Sequence, residues 1–382
     1  MSRGDDREGL HSSTRGRTRR REPLQIPRCS TPAKPAPQGG RAGDARRFFE
    51  LGQDRFSVGD LRGAIEAWEQ AIHCDPELVE AWNGLGVASE NTAELVNTAL
   101  RDHGGEQRPP AEPLPDGSGI GRREGRAARL DESIRCFRRA VEIQPDFFES
   151  WYNLGNALVA TGDLDGSLEA YGHALRIRPD ADRVWFNMAY VHACRGDLSK
   201  AADGYRRAAA LSPKDYEVWY NLGNVLLELG QAEESVRAFR NALERGRNDH
   251  EVWNNLGTAL VQQQRHREAL TCYQQALLLF PGYAPSWNNL GNVLEDTGDL
   301  DAASRAYRRA VSLDPENPTF LLNLASVLVR SQQEEDAVHC LARALRLAPD
   351  LRQMIHGLPD VAPLLAHPSL HLHSTEPRCR DH

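Results

Sequence analysis

Residues 287–320 read WNNLGNVLEDTGDLDAASRAYRRAVSLDPENPTF, and similar stretches follow one another along most of the chain. The first residue of this stretch is the last of five tryptophans that stand 34 residues apart, and one further step of 34 reaches Leu321. A fixed period of this length is typical of arrays of helical repeats. The five tryptophans are Trp151, Trp185, Trp219, Trp253 and Trp287.

Each unit contains two apolar patterns separated by a break. Counted from the tryptophan as offset 0, apolar or small residues stand at offsets 3, 4 and 7, which share one face of a helix with offset 0. A second set stands at offsets 16, 20 and 23, and a proline at offset 28 ends it. We therefore predict one pair of antiparallel helices per unit, which buries its apolar face only against neighbouring units.

The residues that carry this pattern resemble those of the tetratricopeptide repeat family over about residues 45–351. In the unit that begins at Trp253 they are Leu256, Gly257, Leu260, Ala269, Tyr273, Ala276 and Pro281. The resemblance implies an all-α fold, a right-handed α-solenoid of about eight helix-turn-helix units. The period and the resemblance lead to the same fold.

The units are expected to follow one another with one interruption. Their predicted bounds are 45–78, 79–147, 148–181, 182–215, 216–249, 250–283, 284–317 and 318–351. The second unit is too long, because Trp82 and Trp151 are 69 residues apart, which is one period plus 35. Residues 93–127 are therefore predicted to be an insertion. It opens with a helical extension over 93–100 and continues as a loop rich in Pro and Gly.

The two ends differ from the repeats in composition. Residues 1–44 are rich in Arg, Ser, Thr, Pro and Gly and are predicted to be a disordered basic arm. Residues 1–43 contain ten Lys or Arg and four acids, which gives a charge of +6. Because the net charge of the whole chain is −8, residues 44–382 carry a charge of −14. Residues 352–366 are predicted to form a capping helix over the last apolar face, and residues 367–382 a frayed tail.

Several classes of function are not expected from this sequence. No arrangement of nucleophile, base and acid stands apart from the repeats, so no catalytic residues are predicted. We also predict no cofactor, no metal site and no small-molecule substrate. No run of 18 apolar residues occurs, which argues against a membrane-spanning helix. Nucleic acid is not expected to bind to the acidic repeats. Because no apolar secretory signal is visible, we expect a cytoplasmic protein.

One polar position repeats although packing does not require it. Two residues after each of the five tryptophans, and after Leu321, stands an asparagine, which costs roughly 0.6 kcal/mol relative to alanine inside a helix. Stacking should bring these side chains into a row on successive first helices, about 9–10 Å apart. We call this row the Asn ladder: Asn153, Asn187, Asn221, Asn255, Asn289 and Asn323.

Further candidate binding residues flank the Asn ladder: Asn156, Asn224, Asn292, Tyr152, Tyr190 and Tyr220. A primary amide has one acceptor and two donors, so it can pair with the N–H and the C=O of a peptide together. The hypothesis is a non-enzymatic scaffold whose concave groove binds an extended peptide segment of a protein partner. The alternative is that the asparagines only tighten the contacts between adjacent helices.

The array is also similar to the superhelical repeat region of O-linked N-acetylglucosamine transferases. That resemblance implies that the Asn ladder lines a concave groove and holds the backbone of a substrate peptide. Glu50 and Gly84 replace the asparagine in the first two units, and the 31 residues after 351 are too few for a catalytic domain. One alternative function is therefore a detached targeting subunit of such a glycosyltransferase system. A second is a nucleic-acid-associated adaptor that acts through the basic arm.

Overall fold

The computed structural model describes residues 41–101 and 118–371, and these ranges are mainly helical. Eight consecutive helix pairs confirm the predicted α-solenoid of tetratricopeptide units. The pairs are α1 (Arg41–Ser57) with α2 (Leu61–Cys74), α3 (Val79–Arg101) with α4 (Ser118–Ile143), α5 (Phe148–Thr161) with α6 (Leu164–Ile177), α7 (Asp182–Cys194) with α8 (Leu198–Leu211), α9 (Tyr216–Glu228) with α10 (Ala232–Glu244), α11 (His250–Gln262) with α12 (His266–Leu279), α13 (Ala284–Asp296) with α14 (Leu300–Leu313), and α15 (Pro318–Arg330) with α16 (Glu334–Leu347).

In four of the eight pairs, the turn between the helices is a glycine followed by an aspartate: Gly59-Asp60, Gly162-Asp163, Gly196-Asp197 and Gly298-Asp299. Gly162 adopts a left-handed conformation (φ 84°) that favours glycine, and it ends α5. The carboxylate of Asp163 then accepts the backbone N–H of Gly166 at 2.9 Å and so caps α6. The same Gly-Asp arrangement ends α13 and begins α14.

In six of the eight pairs, a ring of the second helix lies directly against the glycine at offset 4 of the first; alanine replaces this glycine in α7 and α15. A Cβ atom added to Gly257 would lie 2.7 Å from Cε1 of Tyr273, and one added to Gly291 would lie 2.6 Å from Cε1 of Tyr307. Both tyrosines are almost fully buried. The small residue therefore lets the two helices approach closely around an aromatic side chain.

Successive pairs are joined by the tryptophan at offset 0. The indole N–H of Trp185 donates to the carbonyl of Pro179, the proline that ends the preceding pair, at 2.9 Å. The indoles of Trp82, Trp151, Trp219 and Trp287 make the same bond to Pro76, Pro145, Pro213 and Pro281. Arg247 replaces this proline before Trp253, whose indole donates instead to the side-chain oxygen of Asn248 at 2.7 Å.

The first helices of the pairs lie on the inner side of the array. Contacts join α1 to α3, α3 to α5, α5 to α7, α9 to α11, α11 to α13 and α13 to α15. Within the described ranges, no two of the second helices α2 to α16 contact each other to a similar extent. A curved stack brings closer together the elements on its inner side. We therefore call the odd-numbered helices α1 to α15 the inner helices, and the even-numbered helices α2 to α16 the outer helices.

The insertion and the two ends differ in part from the expected bounds. Helix α3 continues to Arg101 and α4 begins at Ser118, so the end of the predicted 93–127 loop is helical; residues 102–117 lie outside the described ranges. Helix α1 begins at Arg41, inside the predicted basic arm, and residues 1–40 lie outside the described ranges.

The C-terminal cap is also built differently from the single helix expected over 352–366. It consists of α17 (Leu351–Ile355), a 3-10 helix (Ala362–Ala366) and α18 (Pro368–His371), which cover the last pair with short pieces. Leu370 is 5% exposed and packs in the same apolar cluster, so the predicted frayed tail begins too early. Residues 372–382 lie outside the described ranges. Among the described helices, none is both long and apolar enough to cross a lipid bilayer.

The glycine contact gives a stability prediction with opposite signs at two sites. The substitution Gly257→Ala places a methyl group against the buried ring of Tyr273 and is expected to lower the free energy of unfolding by about 1–3 kcal/mol. The substitution Gly172→Ala in α6 meets no atom within 4 Å and is expected to raise it by about 0.5–1 kcal/mol. Urea unfolding of both variants measures the difference. Equal effects of the two substitutions would contradict the close approach at Gly257.

Candidate peptide-binding surface

The Asn ladder lies on six successive inner helices, α5, α7, α9, α11, α13 and α15, and each of its side chains is half-buried. The surface around it is formed by the partly exposed side chains of the inner helices, and we call it the inner surface. The candidate tyrosines Tyr152, Tyr190 and Tyr220 lie on α5, α7 and α9 of the same surface. The structure thus brings the predicted residues to one side of the array.

The ladder amides donate hydrogen bonds from one unit to the preceding one. Nδ2 of Asn187 lies 2.8 Å from Oδ1 of Asn156, and Nδ2 of Asn255 lies 2.9 Å from Oδ1 of Asn224. The acceptor in each case is the asparagine at offset 5 of the preceding unit. Asn323 follows the same rule toward Oδ1 of Asn292 at 3.3 Å, and it also donates to Asn288 at 2.9 Å. These amides therefore hold adjacent inner helices together.

The acceptor changes where offset 5 of the preceding unit is not asparagine. Thr258 stands there before Asn289, whose Nδ2 donates instead to Oδ1 of Asn254 at 3.1 Å. Tyr190 stands there before Asn221, whose Nδ2 turns back to the carbonyl of Glu217 in its own helix at 2.8 Å. Asn221 is thus the one ladder amide in the described ranges whose recorded bond does not cross between units.

Offset 5 alternates along the array with a period of two units. Asparagine stands there in the third, fifth and seventh units, whereas tyrosine, threonine and serine stand there in the fourth, sixth and eighth. The series is Asn156, Tyr190, Asn224, Thr258, Asn292 and Ser326. The partner of each ladder amide follows this alternation, which a comparison of every second unit could have revealed from the sequence alone.

Buried tyrosines of the outer helices bond to the asparagines at offset 5 that accept from the Asn ladder. The hydroxyl of Tyr171 donates to Oδ1 of Asn156 at 2.7 Å. The hydroxyl of Tyr307 lies 2.7 Å from Oδ1 of Asn292 and 2.8 Å from Oε2 of Glu295, and these two oxygens share its one proton. Burial raises the pKa of both hydroxyls, and it raises the pKa of Tyr273 to about 12, so these groups keep the proton that they donate. The tyrosines fix the orientation of the acceptor amides.

Sequence reasoning missed three of the acceptors. Asn83, Asn254 and Asn288 occupy offset 1, where the earlier units carry an aromatic residue. Asn83 accepts from Asn153 at 3.0 Å, while Asn254 and Asn288 are more than nine-tenths buried. The sequence feature that could have identified these acceptors is the replacement of aromatic residues by asparagine at offset 1.

The inner surface offers hydrogen-bond acceptors more readily than donors. The Oδ1 atoms of Asn153, Asn187, Asn221 and Asn323 accept no recorded hydrogen bond from the described residues, whereas their Nδ2 groups are engaged. Each Nδ2 group uses at least one of its two hydrogens inside the array. The two roles considered for the asparagines, joining units and facing a ligand, are therefore compatible in one side chain.

Aromatic side chains flank the amides on the N-terminal part of the inner surface. The Tyr220 ring lies 3.8 Å from the guanidinium carbon of Arg247, and its hydroxyl donates to Glu251 at 3.2 Å. The Tyr152 hydroxyl accepts a long bond of 3.5 Å from Asn187. Tyr190 is 49% exposed and is the most exposed of the three candidate tyrosines.

Three family models match the chain. Two describe the tetratricopeptide repeat and match residues 49–96 and 121–279; the third describes the C-terminal domain of cilia and flagella-associated protein 70 and matches residues 215–353. None of these descriptions names a glycosyltransferase. The resemblance to the repeat region of O-linked N-acetylglucosamine transferases therefore stays a prediction. The search of curated proteins gave no match.

Solved structures of repeat proteins are similar in part. YrrB, described as a tetratricopeptide repeat protein with an unusual peptide-binding site, is 24% identical over 50% of this chain and 98% of its own, with a TM-score of 0.42. MamA from Desulfovibrio magneticus RS-1 is 22% identical over 44% of this chain and 96% of its own (TM-score 0.42). Cut9 in the Cut9–Hcn1 assembly of the APC/C is 15% identical over 80% of this chain and 74% of its own (TM-score 0.44).

The two repeat models together match more than half of the 382 residues, and eight helix pairs carry the residues of the repeat. The chain belongs to the tetratricopeptide repeat proteins.

Proposed function

We propose that the protein is a non-enzymatic scaffold that binds an extended segment of a partner protein along its inner surface. The offset-2 oxygens of Asn255 and Asn289 accept from the neighbouring Asn254 and Asn288. The observation that carries this proposal is that the other four offset-2 oxygens stand at equivalent places on inner helices and accept no hydrogen bond from the described residues. Such oxygens can accept main-chain N–H groups of a ligand whatever its side chains are.

The spacing of the inner helices suits an extended ligand. Packed helices stand about 8–10 Å apart, and a segment in the polyproline II conformation advances about 9 Å in three residues. The same face of such a segment therefore meets each successive ladder amide. Its main chain makes no internal hydrogen bonds, so its N–H groups are available to the oxygens of the Asn ladder.

The expected affinity is modest. Each amide pairing contributes on the order of 1 kcal/mol after the loss of water, and ordering a flexible segment offsets part of the sum. With about four pairings, we expect dissociation constants on the order of micromolar.

The substitution Asn221→Ala separates binding from stability. Because Nδ2 of Asn221 bonds only within its own helix, its loss is expected to leave the thermal midpoint of unfolding unchanged or slightly raised. Loss of its free oxygen is expected to weaken ligand binding about fivefold, or about 1 kcal/mol. The probes are peptides selected on the wild-type protein from a displayed library of random 12-residue sequences, with affinities measured by calorimetry.

The matched control is Gln274→Ala, which removes an amide from the exposed side of the outer helix α12. It is expected to leave the affinity for the same peptides unchanged. Selected peptides that bind the Asn221→Ala protein as tightly as wild type would show that the Asn ladder is not the binding element.

The substitution Asn255→Ala tests the other role of the Asn ladder. It removes the donor to Oδ1 of Asn224, and so removes a bond between the fifth and sixth units. We expect a decrease of about 1 kcal/mol in the free energy of unfolding, measured by urea denaturation beside Asn221→Ala. If both variants unfold at the same urea concentration, the cross-unit amide bond does not stabilise the array.

A further inference from the structure

The middle of the inner surface carries negative charge without compensating positive charge on the same helices. The inner helices α9, α11 and α13 contain five carboxylates and neither lysine nor arginine. Three of these carboxylates have partners in neighbouring segments: Glu217 pairs with Arg183, Glu251 with Arg247, and Glu295 with Arg330. The remaining two, Glu228 and Asp296, have no ion pair within the described ranges.

Glu228 and Asp296 stand where a carboxylate destabilises the fold. Each is the last residue of its inner helix, α9 or α13, and each is exposed. The C-terminal end of a helix carries partial negative charge, so an acid there is unfavourable. A positively charged ligand on the inner surface would reverse that effect.

The chemistry of the surface selects a ligand rich in donors. Between α9 and α13, the free oxygen of Asn221 and the unpaired carboxylates of Glu228 and Asp296 only accept hydrogen bonds. Arginine is the side chain that matches them best, because its guanidinium presents five N–H donors, no acceptor and a permanent positive charge. The exposed ring of Tyr190 adds a face on which a guanidinium can stack. The Arg247 guanidinium already lies 3.8 Å from the Tyr220 ring on this surface.

The chain itself contains a segment of this chemistry. Residues 15–21 read RGRTRRR, with five arginines, and residues 1–43 carry +6 against −14 on the remainder. Nineteen residues separate Arg21 from the start of α1 at Arg41, and a chain of that length can span up to about 65 Å. Helix α9 is four inner helices beyond α1, a distance of about 40 Å at the usual helix spacing. The segment therefore has the length to reach the acidic part of the inner surface.

We propose that residues 15–21 bind to the inner surface of the same chain, between α9 and α13, and compete there with external ligands. This inference rests on the proposed function, because it names the class of segment that the same surface selects. A tethered segment acts at an effective concentration on the order of millimolar. With a dissociation constant of about 10–100 micromolar for the segment itself, an external ligand for the same surface is weakened by a factor of about 10 to 100.

The test compares two full-length proteins with one labelled peptide. The peptide has the sequence of residues 12–22, and its binding is followed by fluorescence anisotropy at low salt. The first protein is wild type, and the second carries Arg15→Ser, Arg17→Ser, Arg19→Ser, Arg20→Ser and Arg21→Ser. We expect micromolar binding to the substituted protein and binding at least 10-fold weaker to wild type. Equal binding to both proteins, or no binding to the substituted one, overturns the proposal.

A second pair of variants places the binding site. In the arginine-substituted protein, Glu228→Gln with Asp296→Asn is expected to weaken the peptide at least 5-fold. The matched control, Glu233→Gln with Glu244→Gln, neutralises two exposed carboxylates of the outer helix α10 and is expected to change nothing. Equal weakening by both pairs would show that general charge attraction, rather than the inner surface, binds the segment, and would overturn the proposal.

The outcome also separates this inference from the proposed function. If peptides selected from the random library depend on Asn221 but are bound equally by wild type and the arginine-substituted protein, the scaffold function stands and the competition by residues 15–21 is wrong. If the library peptides and the residue 12–22 peptide both bind without regard to Asn221, the binding role of the Asn ladder fails.

Discussion

The contact between neighbouring helix pairs is the constraint on which the rest of the structure depends. A single pair exposes the apolar sides of both helices, and only the next pair covers them. At five of the seven junctions between pairs, the tryptophan bond to the preceding proline carbonyl fixes how a pair sits on the last one. Side chains at equivalent repeat positions therefore meet in rows, and the Asn ladder is one consequence of this repeated geometry.

The Asn ladder gives one residue type two uses at once. Its Nδ2 groups bond mainly to the preceding unit, where buried tyrosines hold the accepting amides in place, while four of its oxygens remain on the surface. A ligand would therefore meet acceptors whose positions are fixed before it arrives. Such preorganisation reduces the entropy lost on binding, because the protein side chains are already ordered.

Periodicity made most of the fold predictable and left the hydrogen-bond partners open. The tryptophan spacing and the Gly-Asp breaks predicted the helix pairs, since both features are local. The direction of each ladder amide depends instead on offset 5 of the preceding unit, so Asn221 could not be told from Asn255 by its own surroundings. The prediction of the C-terminal cap was wrong because residues 352–366 do not follow the repeat pattern. Leu370 is buried although it lies after the predicted end of the cap. The binding role of the inner surface rests on the experiments above.

The alternation at offset 5 has a consequence for how such an array can change in length. Because Asn224 and Asn292 recur every second unit, with Thr258 between them, the period of offset 5 is 68 residues. Loss of a unit that carries asparagine at offset 5 would bring two units of the other kind together and leave the ladder amide of the next unit without that acceptor. Loss of two successive units would keep the alternation at offset 5. Shortened or lengthened relatives of this chain should therefore be sought, and engineered, in steps of two units.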